Sequence, residues 1–188
     1  MKTAKDKILS SASTLFYNQG IAQTGINAIT AHADVAKMSL YNNFSNKAEI
    51  VAAYIQARHQ EWLGLYAVRE QQANTPIEKI LAVFDSYCDH AEFAYENGFR
   101  GCGLLNAAAE FAANTPERDA VRLHKDEVEH ILVQHLKDCV KDQTQVSNLA
   151  LQISFLLEGS IARAGLEGTS QKIIQAKAIA HTLLKQVC

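Results

Sequence analysis

Residues 36–47 read Ala-Lys-Met-Ser-Leu-Tyr-Asn-Asn-Phe-Ser-Asn-Lys, which predicts a helix of about two turns, a polar turn and a new helix start. So short and polar a helix adds little to a globular core. Small, amide, hydroxyl and lysine side chains are instead suited to reaching base edges and phosphates in the major groove of DNA. Residues 26–35 predict another short helix and a tight turn. Together the two segments predict a helix-turn-helix near the N-terminus.

The composition is typical of a soluble, mostly helical protein. Of 188 residues, 48% are hydrophobic, 20% are charged and two are proline. No apolar run reaches the roughly 18 residues of a membrane span, and no apolar segment follows the basic N-terminus as in a signal peptide. We therefore expect a cytoplasmic protein with no membrane segment. The cysteines are far apart and form no CxxC motif, so we expect four reduced thiols, at Cys88, Cys102, Cys139 and Cys188.

The net charge of −2 hides an uneven distribution. Residues 1–50 contain five lysines and three carboxylates, whereas the remainder contains 13 basic and 17 acidic residues. The phosphate-facing charge would therefore lie at one end of the chain. This weak asymmetry permits DNA binding but does not establish it.

Apolar residues recur at helical spacing along the chain, with Gly20 closing the first helix and Asn46 opening a long one. Thr75-Pro76 and Thr115-Pro116 mark two further helix starts. No strand pattern or internal repeat stands out. The pattern predicts an all-α fold of about nine helices. We expect a three-helix DNA-binding domain over residues 1–46 and a larger helical domain over residues 47–188.

Two predicted C-terminal helices, over residues 146–163 and 171–187, are broadly apolar. A helix that is apolar nearly all round must be covered on more than one side. In a chain of this size, the expected cover is a second subunit packed as a four-helix bundle across a two-fold axis. We therefore predict a homodimer with interface residues Leu157, Ile161, Ile174, Ala178 and His181.

The N-terminal pattern is Ile8-Leu9-x-x-Ala12-x-x-Leu15-Phe16-x-x-x-Gly20, then Thr24-x-Ile26-x-x-Ile29, Ala33-x-Val35-x-Lys37 and Leu40-Tyr41-x-x-Phe44-x-x-Lys47. Over residues 5–55 it resembles the DNA-binding domain of TetR-type transcriptional regulators. Residues 99–111 resemble one branch of the same family. The resemblance implies an all-α homodimer, a small-molecule pocket in the C-terminal domain and repression that is released by a ligand.

Four residues depart from the family pattern. Asp34 stands where glycine is usual in the turn, and it adds a carboxylate near DNA that should weaken non-specific affinity. Ala36 replaces the usual Ser or Thr cap of the recognition helix, which loses about 1 kcal/mol of capping. Met38 stands where glycine is common and suits contact with a thymine methyl group. Gly25 replaces a hydroxyl residue.

The resemblance and the residue chemistry together predict the contacts with a palindromic operator. We assign base contacts to Lys37, Met38 and Ser39, and phosphate contacts to Thr24, Tyr41, Asn42 and Lys47. Leu40 and Phe44 are expected in the core of the small domain. Tyr41 suits either packing or phosphate contact. The alternative for the whole segment is a solvated polar helix.

Inward faces of the middle helices combine aromatic walls with a few polar groups, as small-molecule sites do. We predict a mostly apolar effector that contacts Phe84, Tyr87, Cys88, Cys102, Asn106, Phe111, Phe155 and Glu158. The alternative for each of these residues is ordinary hydrophobic core. Glu110 could equally be a surface charge.

Other function classes have weaker support. Glu127-x-x-His130 has the spacing of a di-iron motif but occurs once, whereas such bundles need it twice. Cys102, between two glycines, could be a reactive thiol of a redox sensor. The sequence contains no P-loop, GxSxG, HExxH or dinucleotide fingerprint. We therefore expect neither an enzyme nor a bound cofactor or metal, and keep the helical-bundle metal or redox protein as the alternative.

Overall fold

A computed structural model describes residues 2–93 and 95–188. The helices formed by these residues are α1 (Ala4–Gln19), α2 (Ile26–Ala33), α3 (Lys37–Asn43), α4 (Lys47–Gln71), α5 (Pro76–Ala91), α6 (Gly103–Ala109), α7 (Pro116–Lys137), α8 (Gln143–Glu167) and α9 (Gln171–Leu184). Within the described residues there are nine helices and no strand, so the predicted all-α class is confirmed.

Side-chain caps mark several of the helix starts that the sequence predicts. Thr75 and Glu78 form a reciprocal capping box at the start of α5. At the start of α4, Asn46 Oδ1 accepts the Glu49 N–H at 2.9 Å. The Glu49 carboxylate accepts the N–H of Ser45 rather than that of Asn46. Such bonds satisfy backbone donors that a helix leaves unpaired in its first turn.

The chain forms two compact units, and each has its own core. The head unit comprises the residues up to His59 together with Gly103–Val121. The body unit comprises Gln60–Cys102 and Arg122–Cys188. The head unit is larger than the predicted domain of residues 1–46, because the first half of α4 and all of α6 pack with it.

The core of the head unit joins α1 to the following helices. Phe16 of α1 meets Tyr54 of α4 edge-on, with ring centroids 5.5 Å apart. Leu40 and Phe44 are buried, as predicted for the small domain. The largest fully buried side chains of this unit are Ile8, Ile29, Leu40, Phe44, Ile50 and Tyr54. The spacing of Ile8, Ala12 and Phe16 explains why one face of α1 supplies this core.

The core of the body unit is built from α5, the inward faces of α7 and α8, and α9. Helix α8 carries Ile153, Leu157 and Ile161 on its buried side, with Leu151 and Phe155 exposed on the other. By length and composition alone, α8 is apolar enough to cross a membrane. The core helix of a soluble protein meets the same criterion, and the buried face of α8 fits that explanation.

Gly165 of α8 approaches the backbone of Gly101. A Cβ added at Gly165 would lie 2.5 Å from the Gly101 Cα atom. We expect Gly165→Ala to lower the free energy of unfolding by roughly 1–3 kcal/mol, through overpacking. The control is Gly64→Ala in α4, where nothing lies within 4 Å of the added Cβ. Alanine there should raise the free energy of unfolding by up to about 1 kcal/mol. Thermal unfolding checks both, and equal melting temperatures would contradict the close approach.

His135 of α7 makes stability depend on pH. Its Nε2 lies 2.7 Å from the Tyr66 hydroxyl and 3.3 Å from a Glu70 carboxylate oxygen. Burial lowers the pKa of His135 below its usual value of 6.5, and the opposing effect of Glu70 is smaller. As the pH drops below about 6.5, the His135 imidazole is therefore protonated more readily in the unfolded chain than in the folded chain. The free energy of unfolding falls as a result.

We accordingly expect the melting temperature to fall as the pH is lowered from about 7.5 to about 5.5, and His135→Gln to reduce that fall. The control is His130→Gln, because His130 is an exposed histidine of the same helix. Thermal unfolding at several pH values measures both. Identical pH profiles for the parent and His135→Gln would contradict the role given to burial.

Cys139, after α7, and Cys188, beyond α9, form a disulfide with Cα atoms 5.0 Å apart. The prediction of four reduced thiols is therefore wrong for this pair. No local pattern marks the pairing, because α8 and α9 return the chain to the end of α7 across a separation of 49 residues. Cys88 and Cys102 are free thiols.

Candidate DNA-binding surface and effector site

The turn between α2 and α3 has the geometry of a helix-turn-helix. Asp34 closes α2 in the left-handed conformation, with φ 51° and ψ 55°. Its N–H donates to Ala31 O, and the Val35 N–H donates to Thr30 O at 3.1 Å. Asp tolerates left-handed geometry better than most residues other than glycine. Asp34 therefore adopts the left-handed conformation of the turn, at the position where the resemblance led us to expect glycine.

Helix α3 begins without a side-chain cap. Its N-cap residue, Ala36, makes no side-chain hydrogen bond, which agrees with the predicted loss of capping. The helix ends where the Phe44 N–H donates to Leu40 O at 2.9 Å. Packing of Leu40 and Phe44 into the head unit, rather than capping, holds this short helix in place.

The outer face of α3 is open to solvent. Met38 is 71% exposed and Tyr41 45% exposed, and Lys37 and Asn42 are also exposed. Ser39 is half-buried. The exposure of Tyr41 favours its phosphate role over its core role. An exposed helix face that carries a lysine, amide and hydroxyl groups, and a thioether is suited to the major groove.

Two predicted phosphate contacts differ in their surroundings. Thr24 has no exposed surface, and its hydroxyl donates to Gly20 O at 2.7 Å. The assignment of Thr24 to phosphate is therefore wrong, because its side chain is used inside the head unit. Lys47, the first residue of α4, is half-buried and remains a predicted contact.

Glu110, which the sequence left open, has a specific role in the head unit. Its two carboxylate oxygens accept the backbone N–H groups of Ile21 and Ala22, at 2.7 and 2.6 Å. The residue thus binds the turn between α1 and α2 instead of being a simple surface charge. No local sequence signal marks it, because its partners are backbone amides 88 and 89 residues away.

In the body unit, three of the predicted effector residues surround a lysine that was not predicted as a site residue. The ammonium of Lys125 donates to Glu158 Oε1 at 2.8 Å and to the Tyr87 hydroxyl at 3.3 Å. It also lies 3.8 Å from Cys102 Sγ. The available signal was its position on α7, because residue 125 falls between Val121 and Val128 on the buried stripe of that helix.

The charges of this cluster follow from its contacts. Burial alone would lower the pKa of Lys125, but Cys102, Tyr87 and Glu158 raise it above its usual value. Burial raises the pKa of Tyr87, although the nearby ammonium opposes this. Lys125 is therefore charged and Tyr87 is a neutral phenol at neutral pH. The cluster contains an ammonium–carboxylate pair with a hydroxyl and a thiol beside it.

Trp62 lies beside this cluster with an unused hydrogen-bond donor. Its ring centroid is 5.4 Å from Tyr87, 5.4 Å from His124 and 5.6 Å from Tyr66. The Trp62 side chain is buried, and its Nε1–H has no acceptor among the residues that the structure describes. A buried donor without a partner costs about 1–3 kcal/mol, which an oxygen of a bound molecule would recover.

The five other residues predicted to contact the effector lie in different surroundings. Phe84 is fully buried in the core of the body unit. Cys88 is half-buried, and burial with nearby carboxylates raises its pKa to about 12, so it is a neutral thiol. Asn106 and Phe111 belong to the head unit. The assignment of Phe155 to a pocket wall is wrong, because Phe155 is 68% exposed on the outer face of α8.

Some of the predicted dimer residues have exposed surface, and others are buried inside the protomer. Ile174 and Ala178 are exposed and His181 is half-buried, so all three have surface to offer a partner. The assignments of Leu157 and Ile161 are wrong, because both are buried inside one protomer with 0% and 1% of their surface exposed. The outer face of α8 and α9 instead exposes Leu151, Phe155, Ile174 and Ile179.

Comparison with known proteins agrees with this architecture. The family model described as bacterial regulatory proteins, tetR family, matches residues 8–54, and the tetracyclin repressor-like C-terminal domain matches residues 76–180. The HTH-type transcriptional repressor KstR2 of Mycolicibacterium smegmatis is 25% identical over 139 residues, which are 73% of this chain and 65% of that repressor.

Solved structures show the same fold. A TetR-family transcriptional regulator from Streptomyces coelicolor superposes with a TM-score of 0.85 at 24% identity, over 98% of this chain and 95% of that one. A TetR transcriptional regulator from Chloroflexus aurantiacus gives a TM-score of 0.84 at 23% identity, over 97% and 94% of the two chains. With its two family domains together covering most of its length, the chain belongs to the TetR family of bacterial regulatory proteins.

Proposed function

We propose that this regulator represses transcription by binding a palindromic operator as a homodimer and leaves the operator when a small molecule binds the body unit. The observation that carries the proposal is the exposed outer face of α3, with Lys37, Met38, Tyr41 and Asn42 on it. Regulators of the family bind operator DNA as dimers and respond to small-molecule effectors. The family is one of DNA-binding regulators rather than enzymes.

We infer that the dimer forms through the outer face of α8 and α9. Phe155 and Ile179 are 68% and 52% exposed there, and the groove between the two helices measures about 260 Å³. Exposed apolar residues that cluster on adjacent helices are typical of an interface. A two-fold axis at this face would pair α8 and α9 with their copies as a four-helix bundle.

For the effector, we infer a mostly apolar molecule that carries a hydrogen-bond-accepting oxygen. The aromatic rings of Trp62, Tyr66 and Tyr87 suit an apolar skeleton. The free Nε1–H of Trp62 and the ammonium of Lys125 suit a carbonyl or carboxylate oxygen. The regulator itself is proposed to act in the cytoplasm, where its operator is found.

Selection of bound fragments from the genomic DNA of its own organism tests the DNA-binding proposal. We expect intergenic fragments that share an inverted repeat, with half-sites about one helical turn apart or somewhat more. Recovery of random fragments would contradict sequence-specific binding.

Trp62 is the only tryptophan of the chain, so its fluorescence reports directly on the proposed effector site. A ketone and the hydrocarbon of the same carbon skeleton form a suitable probe pair. We expect the ketone to change the Trp62 emission at lower concentration than the hydrocarbon. Equal responses to both probes, or no response to either, would show that the site does not recognise a hydrogen-bond-accepting oxygen.

The metal and redox alternatives find no support in the family assignment. Within residues 2–93 and 95–188, no group of three or more His, Cys, Asp and Glu side chains is placed to hold a metal ion. His130 of the single di-iron-like motif is exposed, and its ring contacts the Gln134 amide at 3.1 Å.

A further inference from the structure

Glu110 stands one residue beyond α6 and holds the turn that leads into the helix-turn-helix. Its Oε1 accepts the Ile21 N–H and its Oε2 accepts the Ala22 N–H, at 2.7 and 2.6 Å. Hydrogen bonds to an ionised carboxylate are shorter and stronger than neutral ones. Two such bonds from one side chain to consecutive amides fix the orientation of the turn as well as its distance from α6.

Gly20 allows this approach. A Cβ at Gly20 would lie 3.1 Å from Glu110 Oε1, which is tighter than ordinary van der Waals contact. Its φ of 91° is also a conformation that residues with a side chain rarely adopt. Gly20 therefore does more than end α1, because it leaves room for the carboxylate beside the turn.

The opposite end of α6 is also packed within the head unit. A Cβ at Gly103 would lie 3.0 Å from the Tyr54 hydroxyl and 3.2 Å from the Tyr17 ring. At the C-terminal end of α6, the Arg118 guanidinium donates to the Ala108 carbonyl at 3.1 Å, and the Phe111 N–H donates to the same oxygen at 3.2 Å. Helix α6 is thus fixed at both ends, by close packing against α1 and α4 and by the Glu110 carboxylate.

We propose that Glu110 is a positioning residue: its two hydrogen bonds to the turn between α1 and α2 couple α6 to the helix-turn-helix, so that DNA bound at α3 changes the order of α6. The proposal rests on the proposed function, because it needs a regulator that binds operator DNA through α3.

Coupling between two sites is reciprocal, so binding of DNA must change α6 just as α6 changes binding of DNA. The test therefore needs no effector. Hydrogen exchange is followed in the full-length dimer with and without its selected operator duplex, over residues 19–25 and 103–112. In the parent, DNA should slow exchange in both segments.

The Glu110→Gln variant keeps the size of the side chain but removes its charge and one acceptor. We expect exchange at Ile21 and Ala22 to become about tenfold faster, as for the loss of a bond of about 1.4 kcal/mol. DNA should still bind and still protect residues 19–25, but its protection of residues 103–112 should be lost. The matched control is Glu117→Gln, because Glu117 lines the same head-unit cleft as Glu110 and should leave the pattern of the parent unchanged.

Three results would overturn the inference. The first is that DNA protects residues 103–112 in Glu110→Gln as strongly as in the parent. The second is that DNA does not protect these residues in the parent. The third is that Glu110→Gln and Glu110→Asp both lose their fold or all DNA binding. The last result would make Glu110 a residue of the fold alone. Failure of the parent to bind any selected duplex would instead count against the proposed function.

Discussion

Lys37→Ala and Lys47→Ala are each expected to weaken operator binding on the order of 30-fold. Each lysine occurs twice in the dimer, and the loss of two contacts of roughly 1 kcal/mol gives that factor. Lys37 opens α3 and is exposed, and Lys47 opens α4 and is half-buried. Each variant should also reduce the slope of log affinity against log salt, by about 2 for Lys47→Ala, since about 0.9 is lost for each phosphate contact.

The measurement is a titration of fluorescent operator duplex at several salt concentrations, repeated with a random duplex. Lys141→Ala is the control, because Lys141 is an exposed lysine of the body unit. If both head-unit variants kept the affinity and the salt slope of the parent, α3 would not be the DNA-binding element. If Lys141→Ala had the same effect as they do, the binding would follow total charge rather than this surface.

Phe155→Glu is expected to convert the dimer to monomers without unfolding it. In one protomer the side chain is 68% exposed, so a carboxylate there is tolerated. In the proposed dimer it would be buried without a partner, at a cost of several kcal/mol, and the two-fold axis doubles that cost. Because operator binding needs both recognition helices, the variant should also lose most of its affinity for the full palindrome.

Light scattering gives the mass, and thermal unfolding shows whether the protomer is intact. Leu123→Glu is the control, because Leu123 is 58% exposed on α7 and lies outside the proposed interface. Ile161→Glu would unfold the protomer instead of separating subunits, since Ile161 is only 1% exposed. An intact Phe155→Glu dimer, or a monomeric Leu123→Glu, would place the interface elsewhere.

Local signals allowed the helices to be predicted from the sequence, and the same signals place the proposed DNA-binding residues on α3. The box at Thr75 and Glu78 and the spacing of Leu40 and Phe44 depend on residues within one or two turns of each other. Thr24 was assigned wrongly because its hydroxyl bonds a nearby carbonyl, a choice that residue type does not reveal.

The proposed effector site and the proposed dimer interface depend on which side of each helix faces inward. On a helix as apolar as α8, periodicity does not separate Leu157, which is buried, from Phe155, which is exposed. Lys125 was missed because a charged residue is normally expected at the surface, and the role of Glu110 stayed open because nothing near it in the sequence marks a partner. Their partners lie far away in the sequence, and only the fold brings them together.

The left-handed Asp34 has a consequence for how the regulator is distributed over a genome. Its exposed carboxylate lies in the turn that accompanies α3 toward DNA, so each dimer brings two fixed negative charges to any duplex it meets. Repulsion from phosphates acts equally at every sequence, whereas base contacts are made only at the operator. Time spent on random DNA and time spent at the operator are thereby shortened by the same factor, so the ratio of the two affinities is unchanged. Fewer molecules are then held at the millions of competing sites, and a larger share is free to find the operator.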